Sequence, residues 1–71
     1  MQVFRHYKRG TLYLLVHHAI LEEGLKPVVV YQNAETGLLF VRPVEDFFGV
    51  VEFDGNLVRR FEPVEKSSSQ T

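Results

Sequence analysis

Five glycines punctuate this chain at intervals that suit short strands joined by turns. Gly10 follows Lys8-Arg9, Gly24 follows Glu22-Glu23, and Gly37 closes Asn33-Ala34-Glu35-Thr36. Gly49 follows the pair Phe47-Phe48, and Gly55 completes Asp54-Gly55, the strongest short hairpin signal in the chain. Between them lie runs rich in β-branched and aromatic residues: Val3–Lys8, Leu12–Ala19, Val28–Gln32, Leu38–Arg42, Val50–Phe53 and Leu57–Glu62. Strands this short and this closely spaced predict an all-β domain rather than βαβ units. The expected architecture is a small SH3-like barrel of five to six short strands with one helical or 3-10 turn.

Individual segments refine that expectation. Leu12–Ile20 is apolar on both faces over much of its length, as a central bent strand would be, and a short helix over Leu12–Leu21 is the competing reading. Tyr13, Val16, His17 and His18 favour the strand. Near the end, Leu57, Arg59 and Phe61 alternate with Val58, Arg60 and Glu62, which predicts one continuous strand. Pro43-Val44-Glu45-Asp46-Phe47-Phe48-Gly49 has proline for the first helical position, acids for the positive end and glycine for the exit, so the single helical turn belongs here. Residues 1–63 are expected to form the domain, and 64–71 to be a disordered polar tail.

Seventy-one residues allow one modest core, and chains this short often need a staple. No cysteine is present, which removes disulfides and thiolate metal sites. A hydrophobic content of 45% supplies the core instead. The net charge of −1 gives no global field toward nucleic acid or an anionic membrane, so any anion site must be local. No stretch approaches the roughly 18 apolar residues of a membrane span, and no apolar leader precedes the domain. A soluble cytoplasmic protein is the expectation.

Phe4-Arg5-His6-Tyr7-Lys8, Leu12-Tyr13, Val29-Val30-Tyr31, Val41-Arg42-Pro43, Phe47, Asp54-Gly55 and Arg60-Phe61 together resemble domain-of-unknown-function family 1653. The resemblance spans about residues 3–63 and implies a compact bacterial SH3-like barrel that usually constitutes the whole protein. It brings no activity with it. The chain departs from the family pattern at several places. Leu21-Glu22-Glu23-Gly24 stands where the family has His-Ser-Glu-Thr, Phe40 where it has Trp, Asp46 where it has Met, and Arg59 where it has Pro.

Chemistry-bearing residues are few. Arg5 and Tyr7 share one strand face with His6 and Lys8 on the other, so half of this cluster could meet an anion, or all of it could be a solvated edge strand. Arg42 falls at a strand end before Pro43, where it would clamp a carboxylate or lock against Glu45 or Asp46. Tyr7, Tyr13 and Tyr31 would form either an aromatic binding patch or core with hydroxyls at the surface. His17 and His18 point to opposite faces as strand neighbours, and no ligand spacing for a metal exists. Every serine lies in the tail, and no Gly-rich phosphate loop is present. The expectation is therefore a non-enzymatic binding module without metal or cofactor. Arg5, Tyr7, Tyr31 and Arg42 would form a rim for nucleic acid or an acidic peptide. The rival is a homodimer or protein-interaction module using an apolar strand or the Phe47-Phe48 turn.

Overall fold

The computed structural model describes residues 2–64. Its strands are β1 (Val3–His6), β2 (Leu12–Leu21), β3 (Lys26–Asn33), β4 (Leu39–Pro43), β5 (Val50–Phe53), β6 (Asn56–Arg59) and β7 (Phe61–Pro63). A single helical turn, α1 (Val44–Phe47), joins β4 to β5, and a 3-10 turn over Glu23–Leu25 joins β2 to β3. The small all-β class is as expected, with seven strands in place of five or six. They form an antiparallel sheet of order β4-β3-β2-β1-β7 and a separate β5-β6 hairpin.

Local chemistry explains the turns. Phe53 pairs with Asn56 across Asp54-Gly55, and both central residues have positive φ (54° and 79°). That is the twist a two-residue hairpin needs, and Asp and Gly are the residues that tolerate it. β3 ends where the Asn33 side chain accepts hydrogen bonds from the Glu35 and Thr36 N–H groups at 2.7 and 2.9 Å. The expected helical turn forms over Val44–Phe47, with Pro43 as its N-cap rather than its first helical residue and Phe48 as its C-cap, just before Gly49.

Two expectations need revision. The segment 57–62 is not one strand. A bend at Arg60 separates β6 from β7, and the two pair in different sheets. The Arg60 N–H donates to the Gly49 carbonyl and Tyr7 N–H donates to the Arg60 carbonyl, so the bend is held from both sides. Leu12–Leu21 is a strand, but only its first half packs. Its register with β3 slips between Leu15 and His17, leaving Val16 as the extra residue of a bulge. Beyond the bulge His17 to Leu21 are exposed.

Only one face of the large sheet is well covered. Pairing puts Phe40 of β4 opposite Tyr31 of β3, Leu15 of β2 opposite Tyr31, Tyr13 opposite Phe4 of β1, and His6 opposite Phe61 of β7. Phe4, Tyr13, Val29, Tyr31, Phe47 and Phe61 make the buried cluster, with Leu15 and Val44 against it. At its centre the Phe47 and Phe61 rings stack at 4.3 Å and 9°. Phe4 meets Phe47 edge-on at 5.1 Å, and Tyr13 meets Phe61 edge-on at 5.6 Å. Val64 adds a last tie by donating its N–H to the Val3 carbonyl at 2.8 Å. The remainder of the expected tail, 65–71, lies outside the described residues.

Phe47→Ala should cost about 3–5 kcal/mol, a large share of what a domain this small can hold, and urea denaturation measures it. Gly49→Ala tests the exit of the helical turn. A Cβ there would lie 2.7 Å from the Glu45 carbonyl oxygen. The expected loss is about 1–3 kcal/mol, although alanine normally favours a helix.

Candidate functional site

Beside the aromatic core the same sheet face opens into a small cavity of about 170 Å³. Its inner wall is Tyr13, Tyr31 and Phe61, all buried. Its rim is His6, Arg9, Phe40 and Arg42. Strand alternation places most of these. Phe40 and Arg42 are two apart on β4 and share the inward face, as do Phe4 and His6 on β1.

Arg9 arrives by a different route. It lies in the turn after β1, and His6 organises that turn. Its Nδ1 accepts the Lys8 and Arg9 backbone N–H groups at 3.2 and 3.4 Å. The Gly10 N–H also donates to the His6 carbonyl at 3.0 Å, and His6 N–H donates to the Thr11 carbonyl at 2.9 Å. With Nδ1 engaged as an acceptor, a neutral imidazole carries its proton on Nε2. The ring stacks on Tyr7 at 4.9 Å and meets Phe61 edge-on at 5.3 Å.

Arg42 is held by a hydroxyl rather than a carboxylate. Its Nε donates to the Tyr31 hydroxyl at 3.4 Å. Its expected ion pair with Glu45 or Asp46 is not formed; the following turn is instead met by Arg60, whose Nε donates to the Asp46 backbone carbonyl at 3.2 Å. The second wall tyrosine, Tyr13, is 7% exposed, and its hydroxyl makes no hydrogen bond among the described residues.

The electrostatics have one sign. No Asp or Glu lines the cavity. Burial, followed by the charges of Arg9, Arg42, Arg60 and Lys8, holds the His6 imidazole below its usual pKa. Arg9, Arg42, His6 Nε2–H and the two tyrosine hydroxyls are all hydrogen-bond donors, and only the hydroxyls can also accept. The cavity can therefore satisfy an acceptor-rich, negatively charged group.

The four residues expected to form a ligand rim divide evenly. Tyr31 and Arg42 belong to the cavity. Arg5 does not: it is exposed on the opposite face of β1, paired with Leu12 and Glu62. Tyr7 packs edge-on against Phe53 at 5.4 Å, outside the cavity lining. His6, Arg9, Tyr13, Phe40 and Phe61 were not among the expected rim residues. Period-two spacing of His6 with Phe4 was the available signal for His6, whereas Arg9 depends on a turn that no periodicity reveals. Among the described residues no group of three or more His, Asp or Glu side chains is gathered to hold a metal ion.

The chain matches, over residues 2–63, the family described as protein of unknown function (DUF1653), and it belongs to that family. Comparisons with curated proteins and with solved structures find no match. No helix among the described residues is long and apolar enough to cross a membrane.

The depressed pKa of His6 makes a signed prediction. The folded protein binds fewer protons at this site than the unfolded chain, so stability rises with pH. It should be complete well above the unfolded value of 6.5 and fall as the solution is acidified through and below it. Melting temperatures across that window should drop less in His6→Gln than in the native protein.

Proposed function

We propose that this protein is a non-enzymatic binding module whose ligand is anionic and seats in the cavity beside the aromatic core. The observation that carries the reading is the lining itself: two guanidinium groups, an imidazole and two phenols converge with no carboxylate among them. Left to itself, such a cluster of like charges is unfavourable, and a structural role would be served better by an internal acid. The chain is net acidic, so attraction for an anion must come from local groups such as these rather than from a global field. Nucleic acid and acidic peptide both carry suitable groups. The protein would act by recognition, with no nucleophile or acid–base pair at the site.

A second reading, self-association, is favoured by β4. This strand is an edge of the large sheet, and Leu39 and Val41 each remain 60% exposed on its outward face. The Phe47-Phe48 turn serves it less well than its sequence suggests. Phe47 is fully buried in the core, which leaves only Phe48 for a partner. A melting temperature that rises with protein concentration would favour this reading.

Amide NMR spectra of the labelled protein, titrated with short single-stranded RNA, DNA and an acidic peptide at low salt, test the first reading. Shifts should gather at His6, Arg9, Tyr31 and Arg42 and reverse as salt rises. Arg42→Ala should weaken binding about tenfold or more, in line with loss of a charged hydrogen-bond donor, while Arg5→Ala leaves it unchanged. Absence of shifts with every anion at high concentration overturns the reading.

A further inference from the structure

We infer that the ligand is a phosphate monoester bearing a planar base: a nucleoside monophosphate, free or at the phosphorylated end of a single strand. This deepens the reading of the cavity as an anion site and rests on it. Three observations narrow the anion.

The first is the count of donors. Arg42 spends its Nε on Tyr31, yet its two terminal nitrogens remain at the rim, beside Arg9 and the His6 imidazole. Tyr13 lines the cavity with a hydroxyl free to donate, and the Tyr31 hydroxyl, accepting from Arg42, still has its own proton to donate. A carboxylate has two oxygens to offer this set, and an internal phosphodiester has two unbridged ones. A phosphate monoester has three, so it satisfies the donors most fully.

The second is charge. Arg9 and Arg42 bring two fixed positive charges to a cavity without an acid. A phosphate monoester carries about −1.5 to −2 at neutral pH, close to their sum, whereas an internal phosphodiester or a carboxylate carries one negative charge. The third is shape. The cavity is a small well of about 170 Å³, large enough for the phosphate and too small for a run of nucleotides. Tract binding needs a basic groove along the strand, and of the lysines and arginines only Arg9 and Arg42 line this cavity.

Phe40 supplies the base platform. Its ring stands at the rim, 40% exposed and tilted 31° from Tyr31 at 5.7 Å, so one side rests on the wall while part stays open to solvent. An exposed aromatic beside a phosphate site is the arrangement on which a base stacks without being read by sequence.

The test uses the full chain with seven probes: adenosine 5′-monophosphate, adenosine, inorganic phosphate, a single-stranded tetranucleotide with and without a 5′-phosphate, a phosphotyrosine peptide and an acidic peptide. Adenosine 5′-monophosphate should shift the amides of Arg9, Phe40 and Arg42 and bind about tenfold or more tighter than either adenosine or phosphate alone. Phe40→Ala should reduce its affinity to that of inorganic phosphate, leaving phosphate binding intact. A tetranucleotide that binds only when phosphorylated identifies a strand end as the source; binding of the mononucleotide alone identifies the free nucleotide. Both support the inference. Equal binding of adenosine and its monophosphate, or a preference for either peptide, overturns it while the broader anion-site reading stands. Failure of every probe to perturb the cavity overturns both. The ligand series on native protein decides the matter even if a variant folds poorly.

Discussion

The parallel stack of Phe47 on Phe61 is the contact on which this molecule depends. Phe47 comes from the one helical turn and Phe61 from the short last strand, so their 4.3 Å stack joins the elements on either side of the β5-β6 hairpin. Phe4, Tyr13 and Tyr31 then close around the pair mostly by edges and tilted faces. With no disulfide available, interlocking aromatics supply the area that a longer chain would draw from aliphatic layers. The arrangement also explains the break at Arg60. A straight continuation of β6 would carry Phe61 along the hairpin, whereas the bend turns it onto the large sheet.

The cavity is a consequence of that core. Tyr13, Tyr31 and Phe61 serve both, with buried ring bodies facing the cluster and the cavity alike. The cationic groups stand on this rigid wall rather than on free loops: Arg42 is tied to a core tyrosine, and Arg9 is presented by a turn that His6 caps. Burial, and after it the charges of Arg9, Arg42, Arg60 and Lys8, depresses the pKa of His6, so a further positive charge here comes at a cost. A bound anion would relieve that cost, which couples ligand binding to stability.

Much of the fold is legible in the order of residues because turn chemistry is local. Asp54-Gly55, the Asn33–Gly37 turn and Pro43 before the helical turn each depend on neighbours within a few positions, and each occurs where the composition places it. That Arg42 lines the cavity was legible in part, because it follows Phe40 on one strand face near the strand end. Arg5 and Tyr7, expected beside it and Tyr31, lie outside the lining. Their charge and aromaticity are visible in sequence, but the side of β1 that meets the core is chosen by Phe4 and Phe61, and Arg5 falls on the other side.

Sequence by itself determined the all-β class, the positions of the turns, the family and the lack of any covalent staple. These follow from local backbone preference, composition and motif order. Tertiary structure alone decided that Arg9, from a turn, and Arg42, from an edge strand, would share one acid-free cavity with His6. It also decided that Val16 would bulge and leave the second half of β2 outside the core. Both outcomes depend on which distant strands pair and in what register, and a one-residue slip in register sends a side chain to the opposite face.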